Sequence, residues 1–159
     1  MSAPPPWKLR GEAVALLAPS FRLRLLVNYH ESPVGPYREH ALVSFGWRGP
    51  SVTQMSVDSL NSVVWGRRNW GFPKVFEPLR WVTKAKHICF ERSTSRFRIR
   101  KTCLRFPLAL PFWTIQNLDG RIVRVPATLI GQARIGFRGR QIAIILDEFD
   151  ATFLSPVQI

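Results

Sequence analysis

Short runs in which apolar and polar residues alternate, each closed by a cluster of turn-forming residues, set the strongest limit on what this chain can fold into. A period of two sends successive side chains to opposite faces, so such runs build sheets. Residues 7–17 read as the first strand, after an extended lead-in over residues 1–6 that contains Pro4-Pro5-Pro6. In residues 21–29, Arg22 and Arg24 alternate with Phe21, Leu23 and Leu25 before an apolar run continues to Val27. Further strands are predicted at 41–45, 52–57, 79–83, 87–91, 97–101, 114–117, 121–125, 133–137, 141–146 and 151–154. Pro33-Val34-Gly35-Pro36, Arg92-Ser93-Thr94-Ser95, Asn117-Leu118-Asp119-Gly120 and Arg138-Gly139-Arg140 supply turns between them. Only the stretch after residue 57 breaks the pattern. There Asp58 or Ser59 can accept from exposed backbone amides, and 60–67 reads as a short helix. The prediction is a mainly β, single domain over residues 1–159: an antiparallel, closed or nearly closed β-barrel with one or two short helices. Closure removes exposed sheet edges and leaves a central apolar cavity for a ligand.

Composition narrows the class of function. A chain of 159 residues is long enough to enclose a core and a pocket, and its thirteen prolines and ten glycines suit strands joined by turns. The net charge is +13, and eighteen of the twenty-three basic residues are arginine. Such an excess opens a second class, a basic nucleic-acid-binding module. The arginines are scattered and form no tail, so a basic surface on a globular protein is the preferred reading and a nucleic-acid partner is not expected. Cys89 and Cys103 have neither CxxC spacing nor a nearby histidine pair, so no metal site is expected; they read as buried thiols of a reducing compartment. No stretch has the length of a signal peptide core or a membrane span, which makes a cytoplasmic protein the expectation.

The chemistry-bearing stretch is Val64-Trp65-Gly66-Arg67-Arg68-Asn69-Trp70-Gly71-Phe72-Pro73-Lys74. A primary amine with an unperturbed pKa of roughly 10.4 is protonated at neutral pH and attacks a carbonyl only if its surroundings disfavour the charge. Trp65, Trp70, Phe72, Val75 and Phe76 are candidates for apolar walls, and Pro73 fixes the approach. A buried neutral lysine is a Schiff-base nucleophile. The alternative from spacing alone is an exposed charge at a turn. Glu31, before the Pro33-Val34-Gly35-Pro36 turn, is the candidate carboxylate to orient the lysine or pass a proton. His40 reads as an ordinary strand residue.

Two runs resemble motifs of the acetoacetate decarboxylase family. Gly66-Arg67-Arg68-Asn69-Trp70-Gly71-Phe72-Pro73-Lys74 is similar to the family's lysine motif, and Tyr29-His30-Glu31-Ser32 to its tyrosine-x-glutamate-serine segment, in the same order. Val57-Asp58-Ser59 with Ser62 fits the approach to the glycine-arginine pair. Asp147-Glu148-Phe149-Asp150 with Phe153 and Pro156 resembles the last strand, so the likeness runs from Trp7 to Pro156. The resemblance implies a β-barrel-like shell around an apolar cavity. It further implies lyase-type decarboxylation of a small 3-oxo acid through an imine on Lys74, with no cofactor and with self-association into a homo-oligomer. Glu31 would be catalytic beside Lys74. Arg10, Trp70, Phe72 and Tyr29 would bind substrate, Arg10 holding its carboxylate, while Gly66, Arg67, Gly71 and Pro73 would build the motif. The chain departs from the family in four places. Val75 stands where classical decarboxylases carry a second lysine, Ala18-Pro19-Ser20 replaces a longer connection, the second strand lacks a carboxylate, and Arg10 is one place out of register. Relatives without the second lysine resemble imine-forming aldolases, dehydratases or hydratases, and a barrel that binds a small ligand without turning it over is a further alternative.

Overall fold

The structure is a computed structural model that describes residues 2–159; the lead-in residue Met1 lies outside the described residues. In chain order it contains β1 (Trp7–Ala18), a 3-10 turn (Pro19–Phe21), β2 (Arg22–Glu31), β3 (Tyr37–Gly46) and β4 (Gly49–Val57). The helix α1 (Leu60–Trp70) follows, then β5 (Lys74–Phe76), β6 (Arg80–Thr83), β7 (His87–Arg92) and β8 (Ser95–Leu118). The chain ends with β9 (Arg121–Arg138), β10 (Gln141–Phe153) and β11 (Val157–Gln158). All strands belong to one sheet in the order β5-β4-β3-β2-β1-β10-β9-β8-β7-β6, with β11 beside β9.

Three expectations need correction. The sheet is not closed by hydrogen bonds, because its end strands β5 and β6 do not pair. They are joined by Glu77-Pro78-Leu79, and there the Glu77 amide continues onto the Val57 carbonyl while Pro78 has no amide to offer. The chain then turns β6 onto β7. The sheet still curls, since β4 and β8, far apart in strand order, lie in contact. Nor is the sheet wholly antiparallel. β4 and β5 run parallel, with Met55 opposite Lys74, because the intervening helix is a crossover connection of the kind parallel neighbours require.

The third correction concerns strand length. The segments predicted at 97–101 and 114–117 are parts of one strand of 24 residues, and β9 and β10 run to 18 and 13. Prolines hid this. Pro107 and Pro111 sit in β8 beyond the part that pairs with β7, so their missing amides face an edge with no ladder bond to lose. Pro126 falls between the β10 ladder, which reaches Ala127, and the β11 ladder, which begins at Arg124. The same free edge explains the exposure of Cys103, whereas Cys89 is paired on both sides, with Val82 and Arg98. Cys103, beside the register shift between Lys101 and Arg105, is exposed, and Cys89 is half-buried; neither is a buried thiol.

Alternation divides the interior into two cores. From β1, Trp7, Leu9 and Ala13 join Val27, Tyr29, Val57, Trp70 and Phe149 in one core. Val14 and Leu16 point the other way, onto Leu26, Trp81, Phe90, Phe97 and Ile145 in the second. Burying each large apolar side chain contributes roughly 1.5–3 kcal/mol, so β1, whose first half feeds one core and whose second half feeds the other, is the seam of the fold. In β10 a bulge between Leu146 and Glu148 resets the alternation. As a result Leu146, before it, and Phe149, after it, both serve the first core. Among the described residues no helix is long and apolar enough to cross a membrane.

Candidate active site

The helix that carries the glycine-arginine pair is made by local rules. Ser59, in extended conformation, accepts from the Ser62 amide at 3.2 Å and caps the N-terminus. Asp58 instead takes the amide and guanidinium of Arg38, at 2.6 and 2.8 Å. At the other end Gly71 adopts φ 70°, and its amide closes on the Arg67 carbonyl at 2.9 Å. A side chain there would also run into the Asn117 carbonyl of β8, so glycine is required twice over. The helix extends three residues past the predicted 67, to Trp70.

Lys74, the first residue of β5, turns inward and is 3% exposed. The exposed-turn alternative is thereby set aside. Its Nζ donates to Ser62 Oγ at 2.8 Å and to Tyr37 Oη at 3.3 Å, and pairs with Glu39 Oε2 at 3.1 Å. Tyr29 Oη donates to the other Glu39 oxygen at 3.3 Å. The amine also lies over the faces of Tyr37 and Trp7, 4.9 and 5.9 Å from their ring centres. Gly66 makes room for the lysine stem: a Cβ there would stand 2.6 and 2.7 Å from Lys74 Cδ and Cε. Arg67 Nε holds the Lys74 carbonyl at 2.7 Å, a backbone contact in keeping with a motif-building role.

The predicted carboxylate is displaced by another. Glu31 lies at the sheet end with its side chain 69% exposed, 3.6 Å from Arg10. The register explains this. Arg10 pairs with Glu31 but Gly11 pairs with Tyr29, so a bulge at His30 carries Glu31 to the face opposite Tyr29. Glu39 takes the place beside the amine. It follows Tyr37 by two residues in β3, on the face shared by Ala41 and Val43, and is 5% exposed. A glutamate in register with tyrosine, alanine and valine was the signal in the sequence, and it was missed along with Tyr37, Ser62 and Trp7. Arg10 is likewise a surface residue, half-exposed and held by Asp150 at 3.1 Å as well as by Glu31; it does not line the pocket.

The other predicted residues fall near the lysine or behind it. Tyr29, Trp70 and Phe72 line the same pocket as Lys74. Trp70 meets Trp7 edge-on at 5.0 Å and donates its indole N–H to the Leu154 carbonyl, and Pro73 is half-buried between Phe72 and Lys74. The proposed walls need correction. Val75, turned away from the pocket by alternation in β5, is 48% exposed, Phe76 at the end of that strand is 52% exposed and outside the lining, and Trp65 only packs partly against the core.

A pocket of about 360 Å³ opens from this group, lined by side chains of β1, β2, β3, β4, β8, β9 and β10. Its polar side chains are Lys74, Glu39, Tyr29, Tyr37 and Thr114; the rest are apolar. Burial pushes the Lys74 amine down, but Tyr37 and Glu39 push it up and prevail, leaving it above the ordinary lysine value. The amine at rest is therefore an ammonium, contrary to the expectation that apolar walls alone would discharge it. Burial holds the Tyr29 phenol well above its usual range, helped by Glu39, and raises Tyr37 against the pull of Lys74. Both are neutral hydrogen-bond donors near pH 7. Among the described residues no group of three His, Cys, Asp or Glu side chains is placed to hold a metal ion.

No protein-family model matches the chain, and no curated protein matches it in sequence. Solved structures do match in shape. The acetoacetate decarboxylase of Legionella pneumophila subsp. pneumophila str. Philadelphia 1 aligns with a TM-score of 0.65 at 12% identity, covering 98% of this chain and 88% of that one. A second acetoacetate decarboxylase structure aligns at 0.59 and 12%, covering 98% and 89%. The fold of this chain is thus similar to that of acetoacetate decarboxylase, as the motif resemblance implied.

Proposed function

We propose that the chain is an imine-forming enzyme in which Lys74 condenses with a carbonyl compound, and that its reaction is decarboxylation of a 3-oxo acid. The observation that carries this is a single buried amine in a pocket, with a carboxylate at 3.1 Å to take its proton. The fold likeness supports the same reading.

The amine must lose a proton before it attacks. Glu39 accepts it, and the neutral Lys74 adds to the ketone carbon; water leaves and an iminium forms. Tyr37, which contacts Nζ at rest and lines the pocket, donates to the departing oxygen, while Ser62, behind the amine and outside the lining, holds Nζ. The carbon–carboxylate bond then breaks. Its electron pair moves into the iminium to give an enamine, and carbon dioxide departs. Protonation of the enamine carbon and hydrolysis return the amine and release a ketone. The iminium is the electron sink, so Lys74 supplies the chemistry a cofactor would otherwise bring.

The pocket favours loss of the carboxylate over retention. Among the described residues its only charged lining groups are Lys74 and Glu39, which offset one another. A carboxylate entering it meets no free cation and lies near a second carboxylate, an arrangement that raises the ground state and is relieved as neutral carbon dioxide forms. Arg10 takes no part. Release of carbon dioxide from a 3-oxo acid, followed for the native protein and for Lys74→Arg, tests the proposal. Arginine keeps the charge partner of Glu39 but cannot form the imine, so release should occur above background only with the native protein. Equal rates for the two, or none for either, would overturn it.

A further inference from the structure

The pocket is much larger than its reactive end requires. A volume of about 360 Å³ lies within the range, roughly 300–1,000 Å³, of sites that enclose drug-sized ligands. A short oxo acid leaves most of it empty. Beyond the polar cluster the lining is aliphatic and aromatic: Leu25, Val43, Leu108, Leu129 and Ile144 contribute to it. Exposure grades along it from 3% at Lys74 to 47% at Trp113 and 64% at Phe45, so it runs from the buried amine to an apolar mouth. One polar group stands apart from the lysine. Thr114, 7% exposed and part of the lining, has a hydroxyl with no hydrogen-bond partner. A buried hydroxyl without a partner is costly, which marks a place for a ligand's polar atom or for water.

We infer that the substrate class is carbonyl compounds with a medium-length apolar tail, the carbonyl at Lys74 and the tail running along the aliphatic wall to the Phe45 and Trp113 mouth. The inference rests on the imine reading for its carbonyl end. Its tail rests on the shape and lining of the pocket alone. For a decarboxylase the product would be the corresponding methyl ketone, which makes a homologous series of methyl ketones the direct probe.

Methyl ketones from acetone to nonan-2-one, each trapped on the native protein with borohydride and read by intact mass, give a half-saturating concentration per homologue. Each added methylene should lower it about three- to fourfold, the ratio equivalent to ~0.8 kcal/mol of apolar burial, until the pocket is full. A flat series that still labels Lys74 would overturn the tail and leave the imine standing. A second readout is independent of the amine: 1-octanol, which has a tail and no carbonyl, should bind saturably by tryptophan fluorescence, since Trp7, Trp70 and Trp113 line the pocket. Saturable octanol binding with no ketone adduct would instead overturn the imine reading alone. Absence of octanol binding would count against the tail.

Discussion

At the residue scale, burial and neighbours compete for the charge on Lys74. Burial disfavours the ammonium, while Tyr37 and Glu39 favour it and prevail. Glu39→Gln removes the carboxylate and leaves burial with less opposition. The pH midpoint for adduct formation should therefore move down, while the rate at the optimum falls because the proton acceptor is gone. A pH–rate profile of imine formation for the two proteins measures this; an unmoved midpoint would contradict the role given to Glu39. Removing the other partner is a stability experiment. Lys74→Ala leaves Glu39 buried without its cation and should cost about 3–5 kcal/mol in denaturant unfolding.

The same scale shows what could be read from the sequence. Lys74 was legible because the glycines, aromatics and proline before it form one local pattern. Glu39 was harder. Its partner lies 35 positions away, and the choice between Glu31 and Glu39 was made by a bulge at His30, which depends on how β1 and β2 register. Nothing local to Tyr29-His30-Glu31-Ser32 announces that bulge. The alternation Tyr37, Glu39, Ala41, Val43 does put a carboxylate on an apolar face, and that is the one local trace of Glu39 in the sequence.

At the scale of elements, Gly66 inside α1 and Gly71 at its C-cap make opposite predictions. Gly66→Ala places a methyl against the flexible stem of Lys74 and moves the amine. Alanine is the better helix former by about 0.8–1.0 kcal/mol, so stability should change little while adduct yield drops. Gly71→Ala meets a backbone carbonyl at a φ of 70°, where neither side can yield, and should destabilise by more than about 1 kcal/mol. Thermal unfolding beside borohydride labelling separates the two. The helix itself was legible from its cap, but the long strands were not. Prolines read as breaks because an edge that spares them is a property of the assembled sheet.

At the scale of the whole molecule, acid should weaken the fold in two stages. His40 is 1% exposed, and its Nε2 accepts from Arg24 at 2.8 Å. Burial, with Arg92 and Arg24 nearby, lowers its pKa to about 4. Between the unfolded value of 6.5 and about 4 the unfolded chain binds the extra proton, so stability falls as pH falls through that window, by on the order of 3 kcal/mol. Glu77 acts lower. Burial opposes its charge, but bonds from Arg92, Ser93 and Ser56 prevail and bring it from 4.5 to about 2. The stability this gives is present above 4.5 and is lost toward pH 2. Urea midpoints between pH 7 and 4 should fall for the native protein and flatten for His40→Gln; parallel slopes would contradict the assignment. The mainly β character was legible from alternation alone. The failure to close was not, since it depends on how Glu77-Pro78-Leu79 steers β6.

A covalent imine on one buried amine is the step on which the proposed reaction depends. Borohydride added to the native protein with a methyl ketone, followed by peptide mass mapping, tests it most directly. A single adduct is expected, carried by the peptide containing Lys74, with none on the exposed lysines. Labelling spread over surface lysines with Lys74 unmodified would contradict it.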